Sequence, residues 1–233
     1  MKDETITART RDDFVAWVAE ADHRFIRGEH LADRYIHYLG IVAAVIGAVV
    51  LIIAAAQRER ALTLISVIVY CFGLLGMLGA SAVYNMAKPS RRKDLLRRID
   101  HAAIFLMIAR TYTPLTLVFI GGGWGLGIAI FVWLVALIGI ALKLFFPHRL
   151  DGLSTVLYLA LGWTILVGLR PMFEAVPLPA ILMLGAGGLL YSVGVIFHLW
   201  SALPYQKAIW HGFVLGAAAC QWVAILDAVV RVA

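Results

Sequence analysis

Charge is what this sequence lacks. Only 15% of its 233 residues are Asp, Glu, Lys or Arg, while 62% are hydrophobic; soluble domains carry about 25% and 45–50%. So little polar surface cannot cover a water-soluble domain of this length, so the class is integral membrane protein. Acidic residues are the scarcer sign, 14 against 20 basic ones, for a formal net charge of +6. The basic residues gather in short loops between apolar runs, which points to membrane topology and anionic lipid rather than nucleic acid. Cysteine is nearly absent. Cys71 and Cys220 both sit inside apolar runs, so no disulfide framework is implied and both read as small buried hydrophobes. The first 35 or so residues, polar and mixed in charge, lack the basic start and immediate apolar core of a signal peptide.

Long apolar runs are what the sequence has. A helix needs about 20 mostly apolar residues to cross a bilayer, and seven runs qualify: 37–56, 62–86, 101–120, 125–146, 153–170, 178–199 and 208–229. None alternates polar and apolar residues as barrel strands do, so the fold is all-α, a seven-transmembrane-helix bundle. The fifth run is the shortest and is expected to end at Arg170-Pro171, where proline stops a helix. Two regions follow: 1–35 before the bundle and 36–233 within it. Asp12 to Ile26 places Phe14, Val15, Trp17, Val18, Ala21 and Phe25 at helical spacing, either an amphipathic helix on the membrane surface or a loosely ordered tail.

Basic residues orient the bundle. One side carries Arg24, Arg27, Arg34, Lys88, Arg91, Arg92, Lys93, Arg97, Arg98, Lys143, Arg149 and Lys207; the other has Arg58, Arg60, Arg170 and Arg231. The N-terminus is therefore expected in the cytoplasm and the C-terminus outside. On that layout His37, Ser81, Asn85, Asp100, His101 and His211 all fall at the cytoplasmic ends of four helices, with Lys207 one turn before His211. Each has a plainer account: His37 or Asn85 as a helix-end cap, Asp100 as a favourable charge at a helix N-terminus, His211 as an interhelical hydrogen bond. Their convergence favours a functional cluster. Elsewhere, Arg110 needs a partner beside a proline-bent stretch at Pro114. Asp227 and Arg231 are spaced to pair, and Gly185, Gly187, Gly188 and Gly194 suit close helix packing.

Five blocks carry a family resemblance: HLADRYIHYLG (residues 30–40), SAVYN (81–85), LRRIDHAAIFLMIARTYTPL (96–115), GGLLYSVGVIF (187–197) and PYQKAIWHGFVLGAAACQW (204–222). Through them the chain resembles the bacterial hemolysin III proteins, relatives of the progestin and adiponectin receptors, from about His30 to Leu226. The resemblance implies a seven-helix fold with a cytoplasmic N-terminus. In the eukaryotic relatives it implies a zinc ion near the cytoplasmic face. One histidine ligand ends a serine-x-x-x-histidine motif in the second helix, and two come from a histidine-x-x-x-histidine motif in the seventh. An aspartate opening the third helix supports the water at the zinc, an arrangement like that of a lipid amide hydrolase.

Carried over, the serine is Ser81 and the aspartate Asp100, the one candidate catalytic residue. The ligand positions read Asn85, Lys207 and His211, of which only His211 can hold zinc. Gln221 stands at a further position that is often histidine. In the N-terminal motif the usual glutamate falls at His30 and the usual asparagine at Asp33, while His37 is kept. Two readings lead. In one, the zinc site is degenerate, no cofactor is expected, Lys207 pairs with Asp100, and the role is lipid sensing or membrane homeostasis with membrane lipids as partners. In the other, His37, His101 and His211 with Asp100 or Asp33 form a relocated zinc site that hydrolyses a lipid amide or ester. Membrane damage, as the family name implies, and transport are further alternatives. The enzyme question stays open between them.

Overall fold

The chain was analysed as a computed structural model that describes residues 2–146 and 151–231, with side chains over 28–146 and 152–231. Its helices are α1 (Lys2–Ala56), α2 (Ala61–Met86), α3 (Arg91–Pro114), α4 (Gly122–Phe145), α5 (Asp151–Gly162), α6 (Leu169–Ala175), α7 (Leu178–Leu199) and α8 (Gln206–Arg231). Among the described residues, seven helical stretches are long and apolar enough to cross a membrane, and they match the seven runs of the sequence. The first lies within α1. The proposed amphipathic face over 12–26 belongs to side chains outside the described residues.

Two junctions differ from expectation, both at proline. Pro114 ends the regular part of α3, and Leu115–Ile120 continues as a wider π turn. Proline offers no N–H and its ring crowds the carbonyl one turn back, so the helix opens there. Around that turn the hydroxyls of Thr111, Thr113 and Thr116 donate to the carbonyls of Met107, Ala109 and Tyr112 at 2.9, 3.0 and 2.7 Å. The fifth span does not stop at Pro171. It tightens to a 3-10 turn over Trp163–Gly168 and resumes as α6 through Ala175. Pro171 lies in the first turn of α6, where the missing N–H has no helical acceptor to lose.

Consecutive spans pack side by side from α1 to α4, and α8 closes the bundle against α1 and α7. Trp222 reaches across from α8 to donate to the Gly47 carbonyl at 3.0 Å. On α7 the glycines divide by role. A Cβ on Gly194 would sit 2.9 Å from Phe213 Cβ, and one on Gly187 would sit 3.1 Å from the Ala217 carbonyl, so both allow α8 to approach closely. Gly185 was expected to do the same, yet a Cβ there would meet nothing within 4 Å. It lines a cavity instead. Large apolar side chains such as Val42, Ile46, Val49 and Ile53 face outward along α1, which is the lipid-facing surface of a membrane helix.

Away from that cavity, Arg231 donates to Asp227 at 2.6 Å as its spacing implies. Arg110 does not find the expected partner among the described residues; its aliphatic stem fills the notch left by Gly73. Cys71 and Cys220 are free thiols.

Candidate functional site

Four helices bring polar side chains to one end of the bundle. On α1, Asp33 and His37 are one turn apart and share a face; both are buried, at 8% and 6% exposure. The Nδ1–H of His37 donates to the Asp33 carbonyl at 2.8 Å. That assigns the tautomer, leaving Nε2 with its lone pair toward the Ser81 hydroxyl of α2 at 3.3 Å. From α8, His211 Nδ1 meets Asp33 Oδ1 at 2.5 Å. The two imidazoles stand edge to face with centroids 4.5 Å apart.

Ser81 is the second hub. Its hydroxyl receives the Asn85 amide at 3.3 Å, while the same amide donates to the Ser81 carbonyl at 3.0 Å. Asp100, from α3, lies beside that hydroxyl and lines the same cavity. The geometry therefore joins His37, Ser81, Asn85, Asp100 and His211, all expected to cluster, and adds Asp33 at the centre.

The remaining two line the same space. His101 borders the cavity, and its carbonyl accepts the Tyr158 hydroxyl at 2.9 Å. Lys207 borders it too but is solvent-exposed, and no ion pair joins it to Asp100. It stands at the rim, near enough to Asp33 to act on it electrostatically.

Among the described residues, one set of side chains has the composition and closeness of a metal site. One ligand atom each from Asp33, His37 and His211 lies within 4.8 Å of the others. His101 and Asp100, both weighed as ligands of a relocated site, are not part of it. Asp33, weighed as the alternative carboxylate of that site, is. Nothing in the sequence singled out Tyr191 and His198, which line the cavity, and Arg97, which lines it too, stood there only as a charge that orients the bundle.

The polar cluster caps a cavity of about 540 Å³. Below the cap the walls turn apolar, with Met77, Ile104, Met107, Leu115, Met172 and Leu184 among them. A void with one polar end and apolar walls inside a helical bundle suits a ligand that is itself polar at one end.

Comparison with known proteins agrees with this architecture. A family described as Haemolysin-III related matches residues 29–222. The chain is 36% identical over 204 residues to a Hemolysin-3 homolog of Bacillus subtilis (strain 168), covering 88% of this chain and 96% of that protein. It is 35% identical over 198 residues to Hemolysin-3 of Bacillus cereus, covering 85% and 90%. The human Monocyte to macrophage differentiation factor is 28% identical over 205 residues, covering 84% and 83%. No solved structure matches.

Proposed function

The chain belongs to the hemolysin III family, and on that premise we propose that it is a resident membrane protein that binds lipid, in a sensing or homeostatic role. One observation carries this reading: the cavity of about 540 Å³ with largely apolar walls beside the polar cap. An acyl chain suits the walls. A polar head with hydrogen-bonding and acidic or carbonyl groups suits Ser81, Asn85, His211 and the exposed Lys207 at the rim. The basic-residue count supports a cap on the cytoplasmic side of a bacterial inner membrane.

The zinc arrangement of the receptor-like relatives does not fit this chain. Asn85 is engaged with Ser81 through its amide, and a protonated lysine at Lys207 offers no lone pair. A zinc ion there would keep one ligand of three, so no reaction step is drawn through it. Hydrolysis of a lipid amide or ester stands as a second reading because Asp33, His37 and His211 present a different donor set at the same polar cap. The hemolysin names of the Bacillus proteins are theirs, and no feature described here carries membrane damage over to this chain.

The test fills the cavity without touching the cap. Gly185→Leu projects a side chain into open space. The variant should fold with unchanged helicity, yet retain less co-purified lipid on extraction and mass spectrometry. Equal lipid retention by the variant and the wild type would sink the lipid-binding reading.

A further inference from the structure

We propose that Asp33, His37 and His211 form a divalent transition-metal site, of the zinc class, at the polar cap. Two of these three donors, Asp33 and His37, lie on α1, outside the ligand positions that the family resemblance assigns. The site is therefore not a remnant of that arrangement. It is a different one sharing His211.

Three observations converge. The first is donor chemistry and closeness: two imidazoles and a carboxylate within 4.8 Å, a set that zinc accepts with a fourth position left open. The second is orientation. A metal-binding histidine characteristically commits its other ring N–H to a carbonyl or carboxylate. His37 does so through Nδ1 to the Asp33 carbonyl. Its remaining lone pair then depends on the Ser81 hydroxyl at a long 3.3 Å. That hydroxyl has one proton and a second claimant, the Asp100 carboxyl group. When Asp100 takes it, the His37 lone pair is left for another partner.

The third is charge balance. Two carboxyl groups, Asp33 and Asp100, meet two imidazoles at the cap. A dication with both rings neutral would offset these carboxylates without setting two imidazolium rings, centroids 4.5 Å apart, against each other. Arg97, buried Lys143 and Lys207 also border the cavity and add positive charge there. Lys207 is exposed, and its charge is screened by water. The rival account is a plain Asp33–His211 pair, joined at 2.5 Å. A metal ion would replace the proton shared by that pair. Bound zinc supplies an activated water, and this is how the cap would gain hydrolytic chemistry.

The proposal is independent of lipid binding, because metal is measured without lipid. Purified full-length protein in detergent is stripped with chelator, dialysed against zinc, desalted and assayed by elemental analysis. About one zinc per chain is expected, the single-ion stoichiometry of such a ligand set. Asp33→Asn and His37→Gln each remove a ligand and should abolish stoichiometric zinc. Ser81→Ala removes the hydroxyl that faces the His37 Nε2 lone pair and should leave zinc in place or bind it more tightly, and Asn85→Ala should leave it in place. Lys207→Gln should change zinc binding little, since that charge is exposed and screened.

Two readouts guard against misfolding. Circular dichroism checks each variant's helicity. Cobalt(II) added to the wild type should give the intense visible bands of a four-coordinate ion, absent in a folded Asp33→Asn. A folded wild type that retains no zinc and gives no such cobalt spectrum overturns the proposal. So does zinc that survives both Asp33→Asn and His37→Gln, or is lost in a folded Asn85→Ala.

Discussion

Asp33 shows most clearly what a single residue adds. The sequence placed His37, Ser81, Asn85, Asp100 and His211 together because each opens or closes a span at the same end, and helix ends at one depth must meet. That argument needs only span boundaries. It cannot fix how far each helix is rotated, and rotation decides which neighbour a side chain touches. Asp33 turns inward to His211, while Lys207 stays exposed at the cavity rim, and the expected Lys207–Asp100 pair does not form. The same geometry ranks two neighbours. Ser81 Oγ has His37, Asn85 and Asp100 around it, whereas the Asn85 amide bonds only Ser81. Ser81→Ala should therefore destabilise the protein by about 1–3 kcal/mol, the range for stranding buried polar partners. Asn85→Ala should cost less. Unfolding both variants in mixed micelles with rising denaturing detergent checks the order, and a larger loss for Asn85→Ala would show that Ser81 is not the hub.

At the scale of the helix, the seven runs were legible because lipid allows no other spanning structure for such sequences. The interruptions were less so. Proline marks where regular helix is strained, and here the strain is absorbed by a π turn after Pro114 and by a 3-10 turn ahead of Pro171. Whether a span absorbs or ends at a proline depends on its neighbours, which a linear pattern does not contain. The glycines of α7 make the same point in a testable form. Gly185 and Gly194 read alike in sequence, as small residues in one apolar run. In the structure Gly194 is pressed against Phe213 and Trp210, and Gly185 faces open space. Gly194→Leu should cost about 1–3 kcal/mol by overpacking and lower the midpoint of thermal unfolding in detergent. Gly185→Leu should leave that midpoint unchanged or raise it. If the two variants shift it equally, the cavity beside α7 is not open in the folded protein.

For the molecule as a whole, the remaining question is which solution the polar cap faces, since that sets the metal and lipid supply it meets. An odd number of spans puts the two termini on opposite sides. The cap shares its end with the start of the first span and with the α2–α3 junction, where Lys88 lies in the loop and Arg91, Arg92 and Lys93 open α3. The opposite α1–α2 turn carries only Arg58 and Arg60. Basic loops resist translocation, so the cap should face the cytoplasm, where free zinc is scarce and the ligands must hold it tightly to be loaded. An alkaline phosphatase fusion after Ala233 should be active, because that enzyme works only beyond the inner membrane. The same fusion at Pro89 should be inactive, and a green fluorescent protein fusion at Pro89 should fluoresce. The reverse pattern would place Asp33, His37 and His211 toward the periplasm. The ligand geometry would stand, but the ion would then be drawn from the extracytoplasmic pool. Chelator added outside intact cells would strip it, whereas from a cytoplasmic cap it would not.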